Sequence, residues 1–287
     1  MGYNLKREGR RIRTLPPMNV ISAFFMPNRI GASNQFTTRI DITETDKYIH
    51  EKRRMGQSGL GIMHVLLAAY VQTVASYPGI NRFIRGQKIY ARNSIDMCLT
   101  IKKNMALDAQ ETVIKIPATA DASINDIYEA INGLVDENRE EGDSNGMDYA
   151  ARILTFLPGI VLKFTVWLLK ALDYFGLLPR FLTKLSPFHG SMFITNVGSL
   201  GIPPIFHHLY DFGNIPLFIS LGMKRTEYVT KSDGTTEKRK YVDITVVCDE
   251  RICDGHYYAT AFKKLKRLAE KAWLLEKPSE KITTDIK

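Results

Sequence analysis

Residues 149–185 constrain this chain more than any other stretch. They include Ile153-Leu154-Thr155-Phe156-Leu157-Pro158-Gly159-Ile160-Val161-Leu162 and Phe164-Thr165-Val166-Trp167-Leu168-Leu169. Lys163 interrupts the apolar run, and Pro158-Gly159 interrupts the helix. No uninterrupted piece reaches the ~20 apolar residues that a membrane span needs. Lys163 and Lys170 fall on one stripe of a helix whose remaining sides are almost all apolar. Such a helix is expected to bury most of its circumference. Three settings would do that: packing inside the protein or an oligomer, burial in a membrane interface, or the wall of a ligand tunnel. Trp167, Tyr174 and the flanking Lys and Arg residues suit an interface.

The rest of the 287 residues is ordinary globular sequence, 45% hydrophobic and 24% charged. The formal charge of +9 is partly carried by Lys6, Arg7, Arg10, Arg11 and Arg13. No nucleic-acid-binding motif accompanies them, so they read as a solvated basic arm over 1–35 and nucleic acid is not an expected partner. Cys98, Cys248 and Cys253 form neither a disulfide framework nor a zinc pattern, and no metal is expected. With no signal peptide in view, the expected setting is a reducing, cytoplasmic one, with membrane association through the apolar segment as the variant.

Periodicity divides the chain into helices and strands. Phe36–Thr43 alternates like a half-exposed strand, and Thr43 with Glu44 and Asp46 opens a helix running to about Met55. Leu60–Ser76 is a more apolar helix ended by Tyr77-Pro78-Gly79, with His64 read as a core histidine. Strands are expected at Lys88–Ala91, Ile95–Ile101 and Thr112–Pro117, then a helix from Asp121 to Glu141 and a polar break at Gly142–Gly146. Further strands are expected at Ser191–Asn196, Leu217–Met223, Glu227–Thr230 and Lys238–Cys248, with a hairpin at Ser232-Asp233-Gly234. Tyr257–Leu275 closes the chain as a helix with Phe262, Leu265, Leu268 and Ala269 inward. The sum is an α+β fold, a mixed β-sheet flanked by helices.

Two segments carry chemistry. One is Met192-Phe193-Ile194-Thr195-Asn196-Val197-Gly198-Ser199-Leu200-Gly201; the other is Asp249-Glu250-Arg251-Ile252-Cys253-Asp254-Gly255. Together, and in this order, they resemble the hallmark segments of the acyltransferase core of 2-oxo acid dehydrogenase complexes and its relative chloramphenicol acetyltransferase. The second segment of that family reads His-x-x-x-Asp-Gly. Three further stretches extend the resemblance: Gly9-Arg10-Arg11-Ile12-Arg13-Thr14-Leu15, Thr38-Arg39-Ile40-Asp41-Ile42-Thr43 and Tyr77-Pro78-Gly79-Ile80-Asn81. It covers nearly the whole chain except for an apolar helical insertion at about 143–188, and divides the chain into the arm at 1–35 and an acyltransferase-like core over 36–287.

The resemblance implies a trimer whose active site lies between subunits, and acyl transfer between a thiol and a thiol or hydroxyl. It places the oxyanion donor at Thr195 and a structural acid at Asp254, followed by Gly255; Asn196 and Gly198 shape the turn after Thr195. An arginine partner for Asp254 is not evident, since Met18–Met26 contains none. The base position holds Glu250 instead of histidine. An ordinary carboxylate, with pKa about 4.3, is a poor base for a thiol near about 8.5. Three readings of Glu250 stay open. The chain has lost catalysis and kept a binding or structural trimer; or burial beside apolar walls makes Glu250 basic enough; or another histidine serves, His256, His189, His207 or His208.

The chain starts where the core starts, so no lipoyl domain is expected within it. The acyl donor would be coenzyme A or a separate acyl carrier protein, with no permanently bound cofactor. Lys224, Arg225, Lys231, Lys238, Arg239 and Lys240 are candidates for coenzyme A phosphates, against the plainer reading of a soluble hairpin. The expected function is an atypical stand-alone acyl transfer to an unknown acceptor. The alternative is an inactive homologue, membrane-peripheral through the apolar segment.

Overall fold

The structure is a computed structural model that describes residues 8–102, 111–140 and 154–287. The predicted polar break at Gly142–Gly146 and the first part of the apolar insertion lie outside the described residues, as does the start of the basic arm.

Among the described residues, nine strands and seven helices make a mixed α/β fold. The strands are β1 (Gly9–Arg11), β2 (Ser33–Asp41), β3 (Phe83–Arg85), β4 (Lys88–Arg92), β5 (Ile95–Lys102), β6 (Glu111–Ala118), β7 (Met192–Asn196), β8 (Leu217–Thr230) and β9 (Thr236–Asp249). The helices are α1 (Pro17–Phe25), α2 (Thr43–Arg54), α3 (Ile62–Ser76), α4 (Ile124–Glu140), α5 (Gly159–Phe175), α6 (Arg180–Leu185) and α7 (Gly255–Glu270). The main sheet runs β2-β9-β8-β7-β5-β6, and a small second sheet runs β1-β4-β3. In the main sheet β7 is parallel to both of its neighbours and the other pairs are antiparallel.

Strand alternation gives the main sheet two different faces. Ile194, Ile219 and Val246 share a face, where α3, α4 and α7 pack to form the main core. α3 is buried along almost its whole length, as a helix with apolar residues on nearly all sides requires. On the opposite face Phe193, Phe218 and Val247 form a smaller cluster with Cys98, Leu209 and Ile215.

Several elements differ from the sequence expectation, among them β1 and β3, which were not expected as strands. Leu217–Thr230 is one strand, not two: a bulge at Leu221/Lys224 absorbs the polar stretch, and the β8–β9 ribbon runs on beyond the core with alternating exposure. The last helix starts at Gly255 and gives way after Glu270 to a 3₁₀ turn at Ala272–Glu276. α1 was not anticipated, although Pro17 at its first turn is a recognised start signal.

α5 overturns the expectation of burial within the chain. Its only buried residue is Asp173, near the C-terminal end. Ile160, Phe164 and Trp167 are 86%, 59% and 61% exposed. The helix is held at its foot, where Asp173 meets Arg85 and Tyr174 Oη donates to Gln87 Oε1 at 2.9 Å, and the apolar shaft projects from the protein. Among the described residues, no helix is long and apolar enough to cross a membrane.

Candidate functional site

β9 ends at Asp249, and the chain turns through Glu250–Cys253 before α7. This turn is fixed from several sides. Arg251 is fully buried and grips Asp249 with Nε and Nη2, at 2.8 and 2.7 Å, while its Nη1 donates to Met26 O at 2.6 Å. Arg82 donates to Ile252 O at 3.1 Å and is held in turn by Asp285, at 2.6 and 2.8 Å. Glu250 N donates to Ala32 O at 3.0 Å. The Glu250 carboxylate, half-buried, accepts from Asn34 Nδ2 at 2.7 Å.

Beside this contact a groove of about 380 Å³ runs between β2 and α7. Phe36, Tyr258, Ala259 and Phe262 give it apolar walls, and Lys263 and Lys266 stand along it. Cys248 also lines it, but burial pushes that thiol up to about 12, so it is no nucleophile at neutral pH.

Asp254 fixes its turn in a way the resemblance did not imply. It is exposed and caps α7, accepting from Tyr257 N at 2.8 Å. The buried ion pair of this loop is Asp249–Arg251, two neighbours whose partnership sequence reasoning missed. Gly255 opens α7, and His256 follows on its exposed first turn.

Thr195 sits near the end of β7, half-buried. It stands opposite Ser220 of β8, which stands opposite Thr245 of β9. The three hydroxyl residues thus form one row across the sheet, on the face of Phe193 and Phe218. Ile205 of the following loop covers part of the row: its N–H reaches Ser220 Oγ at 3.2 Å, and its carbonyl accepts from Thr245 Oγ1. After Asn196 a 3₁₀ turn carries Gly198, where a Cβ would collide with the backbone of Gly222. That close approach requires glycine.

The sheet register separates Thr195 from Glu250. Asn34, which holds Glu250, pairs with Cys248, whose side chain is in the core on the α7 side. Thr195 belongs to the opposite face. Glu250 also lies five residues beyond Thr245 in Thr195's row, roughly 16 Å along the strand direction at ~3.3 Å per residue. One copy of the chain does not bring the two side chains together.

The remaining candidate bases are elsewhere. His189 is buried, with Nε2 at 3.1 Å from Asp173 Oδ1 and Nδ1 at 2.8 Å from Ser186 Oγ. Burial lowers its pKa below the usual histidine value, although Asp173 pulls the other way. Burial alone would raise Asp173, but His189, Arg85 and Arg29 together hold it low. The pair is therefore an aspartate beside a neutral imidazole. His207 stacks on Phe218 with centroids 4.0 Å apart, and His208 stacks on His207 at 4.5 Å. His64 is a core histidine, its Nδ1 accepting from Gly61 N at 3.1 Å.

The hairpin cations are mostly committed to carboxylates. Lys224 and Lys240 both hold Asp46, Arg225 holds Asp243, Lys231 holds Glu237, and Arg239 holds Asp41 and Glu237.

No protein-family profile matches the chain, and no curated protein matches it in sequence. Solved structures do match. A probable dihydrolipoamide acetyltransferase from Listeria monocytogenes aligns with TM-score 0.57 and 16% identity over 88% of each chain. The dihydrolipoamide acetyltransferase of Azotobacter vinelandii aligns with TM-score 0.60 and 13% identity over 92% of this chain and 93% of that one. A chloramphenicol acetyltransferase aligns with TM-score 0.52 and 13% identity over 88% and 94%. At such identities the likeness is one of fold, and the chain has the fold shared by dihydrolipoamide acetyltransferases and chloramphenicol acetyltransferase.

Proposed function

We propose that this chain is an acyltransferase working as a closed oligomer, a trimer by analogy with the family it resembles. The observation that carries the reading is the separation of Thr195 and Glu250 onto opposite faces of one sheet, with an apolar groove beside Glu250. A reaction that needs an oxyanion donor and a base then needs one from each of two copies. In this arrangement the acyl thioester of coenzyme A or of a carrier protein lies in the groove between β2 and α7. Lys263 and Lys266 meet its anionic end. Glu250 takes the proton of the acceptor as its oxygen or nitrogen attacks the acyl carbon. Thr195 of the neighbouring copy donates to the oxyanion, and as the carbon–sulfur bond breaks Glu250 returns the proton to the leaving sulfur, releasing the thiol and restoring the carboxylate.

Mixing experiments test this. Thr195→Ala and Glu250→Gln should each abolish thiol release from acyl-coenzyme A, and co-refolded mixtures should regain part of it, because some interfaces then pair two intact residues. Full activity in either variant, or no recovery on mixing when the parent is active, would overturn the shared site.

A second reading is a non-catalytic scaffold. The bond from Asn34 to the Glu250 carboxylate favours it, since that side chain then has a structural task. Absence of turnover with every acyl chain length, unaltered by Glu250→His, is the outcome this reading expects.

A further inference from the structure

A second cavity, of about 240 Å³, opens at the same end of the sheet but three strands away from Glu250. Its floor is built from buried donors. Asn214 is 1% exposed; its Oδ1 accepts from Arg92 Nη2 and Gly190 N, both at 3.1 Å, and its Nδ2 has no partner. Arg92 lies over the Phe83 ring at 4.4 Å, and its buried Nε also lacks an acceptor. Lys115 Nζ donates to Thr183 O and Ser186 O, at 2.9 and 2.8 Å, which leaves its third hydrogen. Arg180 and Lys184 of α6 are exposed at the mouth.

Four cations therefore converge from β4, β6 and α6, and among the described residues none of them is in a salt bridge with a carboxylate. Two acids, Glu8 and Asp96, line the same space and act on Arg92 and Lys115 through their charge, which still leaves the four cations in excess. Glu8 is paired with Arg85 at 2.6 Å, and Asp96 accepts from Ser94 Oγ at 2.5 Å. His189, at the edge, is neutral. Buried donors without acceptors are costly unless something fills them. Donors approaching from several directions, with an excess of positive charge, match a compact oxyanion with several oxygens and more than one negative charge.

We propose that this cavity binds a phosphate group, with Arg92, Lys115 and Asn214 taking its oxygens and Arg180 and Lys184 guarding the entrance. The proposal is independent of acyl transfer. The phosphate can belong to a small soluble phosphomonoester or to a lipid headgroup, since α6 directly follows the exposed apolar helix α5.

Thermal unfolding of the full chain tests this, with inorganic phosphate compared with chloride at equal ionic strength and with short-chain phosphatidate compared with the same chain as a neutral diacylglycerol. A rise in Tm with inorganic phosphate supports the site and points to a soluble ligand. A rise with phosphatidate alone, absent with diacylglycerol, supports it and points to a lipid. Asn214→Asp, which replaces the free amide donor by a carboxylate, should weaken the apparent affinity about tenfold or more. Arg180→Gln with Lys184→Gln, at the exposed mouth where folding is not at stake, should weaken it severalfold. No rise with either phosphate compound, or a rise unchanged in the mouth variant, would overturn the proposal.

Discussion

Arg251 and Asp249 form a bidentate ion pair that is almost fully removed from solvent, with side chains 2% and 1% exposed. Two residues apart at the end of β9, they close the turn that presents Glu250. Buried pairs of this kind become strongly destabilising when one partner is removed, because the other charge stays desolvated. Asp249→Asn should cost about 3 kcal/mol and lower Tm by several degrees. Glu250→Gln should change stability little, since the amide oxygen can still accept from Asn34. Thermal or urea unfolding of the two variants distinguishes these outcomes; equal losses would show that the turn is held by Glu250 as much as by the ion pair.

Protonation of Asp46 should cost the protein stability in acid. Burial opposes ionisation of this carboxylate, but the hydrogen bonds and charges of Lys224 and Lys240 outweigh it and hold the pKa at about 2, below the ordinary 3.8. A folded pKa below the unfolded one contributes stability that is complete above about pH 4 and is lost as pH falls toward about 2. Asp46→Asn should therefore be less stable than the parent at neutral pH, with the gap narrowing across that window. Tm measured against pH for both proteins checks the sign. A gap that stays constant down to pH 2 would mean that Asp46 acts by packing and not by charge.

Much of the fold was legible in the sequence because its elements are strongly patterned. α3 and α7 follow helical periodicity, and β7 and β9 follow strand patterns bounded by recognisable turns. α1 escaped because its nine residues are short and mostly apolar on several sides, so that only Pro17 marked it. The unity of β8 escaped because Lys224-Arg225-Thr226 resembles a turn, whereas the ribbon needs polar residues there once it leaves the core. The site was legible only in part. Thr195, Glu250 and Asp254 were singled out as individual candidate positions, but their relation depends on which strands pair and in what register. Nothing local in residues 190–201 reveals that Thr195 will align with Ser220 and Thr245, or that Glu250 will face the other way. The Asp249–Arg251 pair escaped for the same reason: its strength comes from burial by distant segments around Met26 and Tyr258.

Gly198 tests how tightly the turn after Thr195 is set. A methyl group there meets the Gly222 backbone, which belongs to the buried part of β8 and has no flexible end to yield. Gly198→Ala should destabilise by about 1–3 kcal/mol through overpacking. Gly201, at φ +75° but with open space around it, should respond through its backbone conformation alone, so Gly201→Asn should be better tolerated than Gly201→Ala. Urea midpoints for the three variants are the measurement. A harmless Gly198→Ala would mean that the turn is looser than its backbone contact implies.

The exposed shaft of α5 gives the final prediction. Phe164 and Trp167 stack on one another with centroids 5.7 Å apart but are both mostly exposed. Because the helix is anchored through Asp173 and Tyr174 at its foot, polar substitutions farther up should leave the folded core intact. Phe164→Ser combined with Trp167→Ser should keep Tm within about 1 °C, in line with exposed positions that carry little stability. The same variant should bind an apolar dye less and, if the shaft docks on lipid, float less with anionic vesicles, toward which Lys163 and Lys170 add attraction. A large fall in Tm would show that the shaft is covered in the assembled protein. That result would place α5 at a contact between copies of this chain.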